Sequence, residues 1–197
     1  RLLVIITHNP KEQGKSYRLA TDKDEKIFEE AGQYLKEKVK KWKWDFSPVP
    51  DEDMNVNDPT TVAGRGYGIK KWNELFNPRQ QLSLVTFVDK VKESNKKIAS
   101  QEKDKEYVKA IETFLACVID RLADYSSTLC LWAGDFIAHT FGRQALPMVW
   151  DYVEVNPLDY SVHGMRTENL KHKAIIKKIT KAEGFEIANK FFQALPN

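Results

Sequence analysis

Hydrophobic positions near the start of the chain follow a strand pattern rather than a helical one. Residues 2–7 form a continuous apolar run rich in β-branched side chains, and the run stops before Pro10. Such a run predicts a buried strand. Residues 16–19 follow a turn centred on Gly14 and are placed to return as the second strand of a hairpin.

Three longer stretches carry apolar residues at every third or fourth position, which is the spacing of an amphipathic helix. The first begins at Thr21–Asp22, with Glu25 as a capping partner, and runs to about Trp42. The second runs from about Pro78 to Ile98, and the third from about Lys103 to Tyr125. The third helix is predicted to bury one stripe, formed by Val108, Ile111, Leu115, Val118, Ile119 and Leu122.

The rest of the chain carries weaker signals. Apolar residues from Leu129 to Thr140 predict another helix, and residues 145–155 suit either a helix or a strand. Residues 167–182 predict a basic amphipathic helix, and Gly184 separates it from a last helix through Phe191. The apolar side of the basic helix is formed by Leu170, Ala174, Ile176 and Ile179.

A long polar segment, residues 46–68, separates the first two helices and predicts a loop. The expected fold is therefore mainly α (α+β), a helical module with a short N-terminal β-hairpin or strand and a long polar loop. We divide the chain into the strand and first helix (1–46), a loop or linker (47–68) and a helical core (69–197). The core is expected to form one compact unit with residues 1–46.

The composition is that of a globular protein. Of 197 residues, 42% are hydrophobic and 30% are charged, which excludes a disordered chain, a collagen-like repeat and a membrane bundle. The two cysteines are too few for a disulfide framework. Cys117 lies on a helix rich in apolar residues and is expected in the hydrophobic core. We therefore expect a cytoplasmic protein with no membrane partner. The start within a strand-like run, without an initiator methionine, suggests a piece of a longer protein.

The net charge of +3 is small, but the charges are unevenly distributed. Residues 111–164 carry two basic residues, both arginine, against seven acidic ones, whereas residues 165–197 carry seven basic and three acidic ones. Arginine suits fixed bidentate hydrogen bonds with carboxylates or phosphates. Residues 111–164 are therefore predicted to form a pocket, or a core with structural Arg–Asp pairs.

Three local motifs each have a functional and a structural interpretation. Residues 36–44 mix five lysines with two tryptophans, as in a nucleic-acid contact surface or the solvated end of a helix. Residues 64–68 are rich in glycine and suit a phosphate-binding loop or a plain turn. Residues 156–160 partly match the Asn/Asp-Pro-Pro-aromatic motif of amino-methyltransferases, or form a turn. The four histidines show no metal-ligand spacing.

Longer sequence motifs point to one family. A first marker is Gly14-Lys15-x-Tyr17-Arg18-Leu19-x-Thr21-x-x-Asp24. Three blocks follow: Tyr67-Gly68-Ile69-x-x-Trp72-x-x-Leu75-Phe76-x-Pro78-Arg79-Gln80, then Asp120-Arg121-Leu122-Ala123-Asp124-Tyr125-Ser126-Ser127-x-Leu129-Cys130-x-Trp132, then Thr140-Phe141-x-Arg143-Gln144-Ala145-Leu146-Pro147-Met148-Val149-Trp150-Asp151-Tyr152-x-Glu154-x-Asn156-Pro157. In this order they resemble the large S-adenosylmethionine-dependent DNA methylases whose N-terminal part is the domain of unknown function 1156.

The resemblance implies that the chain is the central segment of a methylase of adenine in DNA. In that family the glycine-rich cofactor loop precedes the matching segment, and the catalytic Asp-Pro-Pro-Tyr motif follows it. S-adenosylmethionine would bind the parent protein, and we expect no cofactor in this chain. No catalytic residue can be assigned. The implied partners are DNA and the flanking methyltransferase halves of the same polypeptide.

The matching blocks and the lysine-rich stretch also suggest site residues. DNA contacts are expected from Arg79, Arg121, Arg143, Lys40, Lys41 and Trp72. A pocket is expected from Tyr67, Asp151, Glu154 and Asn156. The aromatic residues expected to stack on bases are Tyr67, Trp72 and Trp132. Each arginine has a structural alternative, because Arg121 could pair with Asp120 or Asp124, and Arg143 with Asp151.

Two other functions fit the same sequence. One is a non-catalytic helical module that binds DNA or RNA through residues 36–44 and 165–181. The other is an interaction or scaffold segment, in which residues 111–164 form an interface with other parts of the parent protein.

Overall fold

The structure is a computed structural model that describes residues 2–7, 14–55, 57–58, 61, 66, 68–132, 137–142, 145–146 and 149–155. Over this range the fold is mainly α with short antiparallel strands, as the sequence predicts. In chain order the elements are β1 (Val4–Thr7), β2 (Ser16–Leu19), α1 (Asp22–Lys40), a 3-10 helix (Trp72–Leu75), α2 (Pro78–Gln101), α3 (Lys105–Asp124), β3 (Leu131–Trp132) and β4 (Ile137–Ala138). No helix of the described residues is long and apolar enough to cross a membrane.

Strands β1 and β2 form an antiparallel hairpin in which Val4 lies opposite Leu19 and Thr7 opposite Ser16. The predicted hairpin is confirmed, but the prediction that residues 2–7 form a buried strand is wrong. Val4 and every residue of β2 are exposed. A two-stranded hairpin needs a further layer to bury its apolar side chains, and no third strand pairs with it within the described residues.

Thr21 caps helix α1, as its start signal predicts, but Asp24 rather than Glu25 is its capping partner. The Asp24 carboxylate accepts hydrogen bonds from the Thr21 N–H at 2.9 Å and from the Thr21 hydroxyl at 2.6 Å. It also pairs with the Arg18 guanidinium at 2.7 Å, and this hydrogen bond holds the pKa of Asp24 well below its usual range. The start of α1 is thereby tied to β2.

Helix α2 packs against both α1 and α3. The ion pairs between the α1 side and α2 follow parallel order, Lys38 with Asp89 and Lys43 with Glu93. The contacts between α2 and α3 follow reversed order, because Lys92 pairs with Glu112 while Val88 shares a groove with Ile119. The start of α2 and the end of α3 therefore lie at the same end of an antiparallel helix pair.

The main hydrophobic cluster consists of Met54, Leu75, Leu129 and Leu146. Met54 comes from the polar segment predicted as a loop, and its N–H donates to the Lys70 carbonyl at 2.6 Å. The backbones of Asp53 and Lys71 form an isolated antiparallel β-bridge beside it. Part of the polar segment is therefore fixed to the core.

The prediction of a helix over residues 129–140 is wrong. Within this stretch β3 and β4 pair in antiparallel fashion, with Leu131 opposite Ala138. An apolar run of this length fits a strand as well as a helix, and long-range hydrogen bonds decide between them. The Thr140 N–H donates to the Asp124 carbonyl at 2.8 Å, and the Val153 N–H donates to the Cys130 carbonyl at 3.0 Å.

Neither of the two elements proposed for residues 145–155 forms, since residues 145–146 and 149–155 lie in neither helix nor strand. Polar groups of residues 151–154 bond to other elements instead. The helices predicted over residues 167–182 and 184–191 lie outside the described residues.

Helix α3 is less buried than its sequence predicts. Cys117 is exposed, so its predicted place in the core is wrong, and Val118 of the predicted stripe is also exposed. Helix α2 packs on the side of α3 that carries Glu112, Ala116 and Ile119. One neighbouring helix covers only part of an apolar arc as wide as that of α3.

Candidate functional site

Residues 151–155, which lie in neither helix nor strand, join distant parts of the chain at the start of α2. Its side chains contact the N-terminal hairpin and the first turn of α2. Its backbone contacts Cys130, just before β3. We call residues 151–155 the junction segment because they connect these parts of the chain. Two of the predicted pocket residues, Asp151 and Glu154, lie in it.

Asp151 binds the hairpin through an ion pair. The Lys15 ammonium lies 2.9 Å from both carboxylate oxygens of Asp151, and the Tyr17 hydroxyl donates to the same group at 3.4 Å. The Lys15 ammonium also lies 5.7 Å from the centre of the Trp132 ring. Both charged side chains are largely buried, so removal of either one would leave the other uncompensated.

Asn77 connects the junction segment to α2. Asparagine followed by proline is a favourable helix start, because the amide caps the first turn and proline fits the first helical position. The Asn77 Oδ1 accepts hydrogen bonds from the Arg79 N–H at 2.9 Å and the Gln80 N–H at 3.0 Å. Its Nδ2 donates to the Tyr152 hydroxyl at 3.1 Å and to the Glu154 carboxylate.

Arg79 is held beside Glu154 but stays accessible. Its Nε lies 3.3 Å from a Glu154 carboxylate oxygen, and the Arg79 side chain is 49% exposed. A guanidinium has five N–H donors in a planar fork. An oriented, half-exposed arginine of this kind can bind a phosphate bidentately.

Replacing Tyr152 with phenylalanine should lower the free energy of unfolding by about 1 kcal/mol near pH 8, because Asn77 loses a hydrogen-bond acceptor. Burial raises the pKa of the Tyr152 phenol. The stabilisation by the protonated Tyr152 phenol is therefore complete below the pKa of about 10 that the phenol has in the unfolded chain. It is lost as the pH rises through the pKa that the phenol has in the folded protein. Urea unfolding should show that the wild type and Y152F converge above about pH 10. A difference that is constant with pH would contradict this.

A second polar cluster surrounds Asp124 at the end of α3. Arg121 donates to the Asp124 carboxylate at 2.8 Å and to the Tyr125 hydroxyl at 2.7 Å, and the Phe141 N–H donates to the other Asp124 oxygen at 2.9 Å. The Nδ1 of His139 lies 2.9 Å from Asp124 but outside hydrogen-bonding alignment. The pairing of Arg121 with Asp124, which the sequence offered as a structural alternative, is present.

Four of the six predicted DNA-contact residues fall into two groups. Arg79 and Arg121 lie at the same end of the antiparallel helix pair, and the Arg121 side chain is 48% exposed. Lys40 and Lys41 are exposed at the end of α1, near Asp89. Asp89 follows Arg79 by ten residues, or roughly 15 Å along α2. The lysines and the arginines are therefore on separate parts of the surface.

Trp72 and Trp44 are both engaged in contacts within the fold. Trp72 is half-buried against the main hydrophobic cluster. Trp44, in the lysine-rich stretch, donates to Asp89 at 3.0 Å, and the Lys96 ammonium lies 4.4 Å from its ring centre. Trp44 is therefore held against α2, and the nucleic-acid contact surface expected from residues 36–44 stays a prediction.

The remaining candidates lie outside the described residues. They are Tyr67, Arg143, Asn156 and the rest of the 156–160 motif. Of the glycine-rich residues 64–68, the structure describes Gly66 and Gly68.

The fully buried Cys130 belongs to a closed polar network rather than to an accessible site. The Thr140 hydroxyl donates to the Asp124 carbonyl at 2.7 Å and lies 2.8 Å from the Ser127 hydroxyl. The Cys130 Sγ lies 3.4 Å from the Thr140 hydroxyl. These groups satisfy one another, which explains how three polar side chains are buried together.

Sequence reasoning missed several side chains at the junction, among them Asn77 and Lys15. Asn77 could have been found, because it precedes Pro78 and lies three residues before Gln80, which completes a capping box. Lys15 lies within the first marker, but no local signal assigns a partner 136 residues away.

No group of three or more histidine, cysteine or acidic side chains could hold a metal ion among the described residues. Comparisons with protein-family models, with curated proteins and with solved structures found no match to the chain.

Proposed function

We propose that the chain is an internal segment of an S-adenosylmethionine-dependent DNA methyltransferase. Its part is to contact DNA or to shape the wall of the pocket for the extruded base, while the flanking halves bind the cofactor and carry the catalytic motif. The methyl group would pass from the cofactor sulfur to the amino nitrogen of the target base, expected to be adenine N6, which loses a proton.

The observation that carries the proposal is that the sequence blocks behind the resemblance meet in the fold. Lys15 of the first marker pairs with Asp151 of the third block. Arg79 of the first block pairs with Glu154 of the third. The Thr128 N–H, within the second block, donates to the Leu75 carbonyl of the first at 2.8 Å. The first marker and the three blocks, which are far apart in the sequence, thus form one connected structural unit.

The arrangement also supports a DNA contact at the shared end of α2 and α3. Arg79 and Arg121 are both half exposed there, and each is oriented by a carboxylate. Phosphate contacts of this type give salt-dependent binding without requiring sequence readout. Glu154 and Asp124 would hold the two forks in position until a phosphate approaches.

Binding of the chain to a short fluorescent duplex, measured by anisotropy over a range of salt concentrations, tests this contact. The double variant R79A/R121A should bind roughly tenfold more weakly, with a salt slope smaller by about 2, because two phosphate contacts are lost. K103A/K105A is the matched control, since it removes two positive charges from the opposite end of the helix pair. Equal loss in both double variants, or no loss in either, would contradict the proposal.

Two other outcomes would favour the alternatives. A larger loss in K40A/K41A than in R79A/R121A would favour the non-catalytic nucleic-acid-binding module. An absence of binding at low salt would favour the interaction segment, for which Trp150, fully exposed, and Phe141, half exposed, offer apolar contacts.

A further inference from the structure

The residues that follow α1 form a surface of lysines and aromatic rings with the second half of α2. After α1 ends at Lys40, the chain passes along α2, where Trp44 donates to Asp89 at 3.0 Å and Lys43 pairs with Glu93 at 3.0 Å. Further on, the Phe46 ring centre lies 5.7 Å from the Lys92 ammonium. We call this the lysine–ring surface, and its members are Lys43, Trp44, Phe46, Lys92 and Lys96.

Positive charge remains in excess here after the ion pairs are counted. Residues 36–46 and 89–97 together carry nine lysines and four acidic residues. Four of the lysines pair with Asp89, Glu93 or Glu112. Within the part of the chain that the structure describes, the other five form no ion pair, and all are exposed: Lys36, Lys40, Lys41, Lys96 and Lys97. They outnumber the two carboxylates left without an ion pair, those of Glu37 and Asp45.

Trp44 holds Lys96 in place without neutralising it. The Lys96 ammonium lies 4.4 Å from the centre of the Trp44 ring, and the Lys43 ammonium lies 5.3 Å from the same centre. An aromatic face attracts a cation through its quadrupole and carries no net charge. The hydrogen bond from the Trp44 indole to Asp89 fixes the ring in turn. Lys96 is therefore oriented and still able to bind an anion.

We propose that the lysine–ring surface binds the phosphate backbone of a nucleic acid without reading its bases. Lysine binds phosphate as a point charge, and such contacts carry no sequence information. Surfaces that stack bases use aromatic faces, whereas a base stacking on Trp44 would have to displace Lys96. A protein partner is less suited, because protein interfaces are centred on residues depleted in charge.

This contact is separate from the one proposed at Arg79 and Arg121. Lys96 follows Arg79 by 17 residues, or roughly 25 Å along α2. The inference is independent of the proposed function, because a phosphate contact of this kind suits a methylase segment and a non-catalytic module equally.

Anisotropy of a short fluorescent duplex over a range of salt concentrations, measured in the R79A/R121A background, tests the proposal. That background removes the contact of the proposed function, so each contact can fail without the other. Adding K96A/K97A should weaken binding roughly tenfold and lower the salt slope by about 2. Adding K23A/K26A is the matched control, since it removes two exposed lysines from the start of α1 and should change neither quantity.

Two further comparisons test the chemistry of the contact. A mixed-sequence strand and an abasic strand with equal numbers of phosphates should bind within about threefold of one another, since stacking would add roughly fivefold or more per base. Trp44→Leu should weaken binding roughly threefold, because Lys96 loses its support. Trp44→Phe also loses the hydrogen bond to Asp89 but keeps an aromatic face, so it should bind more tightly than Trp44→Leu.

Any of four results, obtained at unchanged thermal stability, would overturn the proposal. The first is equal affinity and salt slope in the K96A/K97A and K23A/K26A variants. The second is a preference of more than about tenfold for the mixed-sequence strand over the abasic strand, because the bases would then be read. The third is wild-type affinity in Trp44→Leu. The fourth is competition by polyglutamate as strong as that by unlabelled duplex, because the partner would then be an acidic protein.

Discussion

Leu75→Ala should lower the free energy of unfolding by about 3 to 4 kcal/mol, because truncating a fully buried leucine removes its contacts and leaves a cavity. Leu75 has no solvent exposure and lies in the main cluster with Met54, Leu129 and Leu146. These partners come from three separate parts of the chain, so the cavity cannot be closed by moving one element. Urea unfolding followed by circular dichroism would measure the loss.

Leu75→Met is the matched control, since it nearly conserves volume and should cost less than about 1.5 kcal/mol. The backbone carbonyl of Leu75, which accepts from Thr128, is present in both variants. A loss below about 1 kcal/mol for Leu75→Ala would mean that the cluster can collapse or is not close-packed.

Asn77→Ala should cost about 3 kcal/mol, the second largest effect expected. The substitution removes the cap of α2, worth about 1 kcal/mol, and two polar contacts to Tyr152 and Glu154 of the junction segment, worth roughly 1 kcal/mol each. Because Asn77 is buried, water cannot replace these contacts without rearrangement. Thermal and urea unfolding should both show the loss.

Asn77→Ser separates the two contributions. Serine can cap the first turn but cannot donate to both Tyr152 and Glu154, so its cost should be about 2 kcal/mol. If serine restored full stability, the contacts with the junction segment would contribute nothing, and Asn77 would be only a helix cap.

The helices could be predicted because their signals are local. Periodic apolar residues, Thr21 at the start of α1 and Pro78 at the start of α2 act within a few residues of where they stand. The strands β3 and β4 could not be predicted in the same way. The apolar run that contains them suits a helix equally well, and hydrogen bonds from Thr140 to Asp124 and from Val153 to Cys130 fix its conformation.

Two residues of the junction segment were named from the sequence, and their role in a pocket stays a prediction. Asp151 and Glu154 were expected near one another in a pocket, but their partners Lys15 and Arg79 are separated from them in sequence by more than any local pattern can span. Met54 illustrates the same limit in the core, since a methionine within a polar segment gives no periodic signal. Burial of such residues depends on the tertiary fold rather than on their neighbours in sequence.

Transfer of a labelled methyl group from S-adenosylmethionine to duplex DNA, measured on the complete reading frame that contains this chain, tests the proposed function most directly. We predict incorporation at adenine N6, reduced about tenfold in R79A/R121A at unchanged thermal stability, because about 1.4 kcal/mol of DNA contact is lost. Transfer by residues 1–197 alone, or no transfer by a folded complete polypeptide supplied with cofactor and DNA, would contradict it.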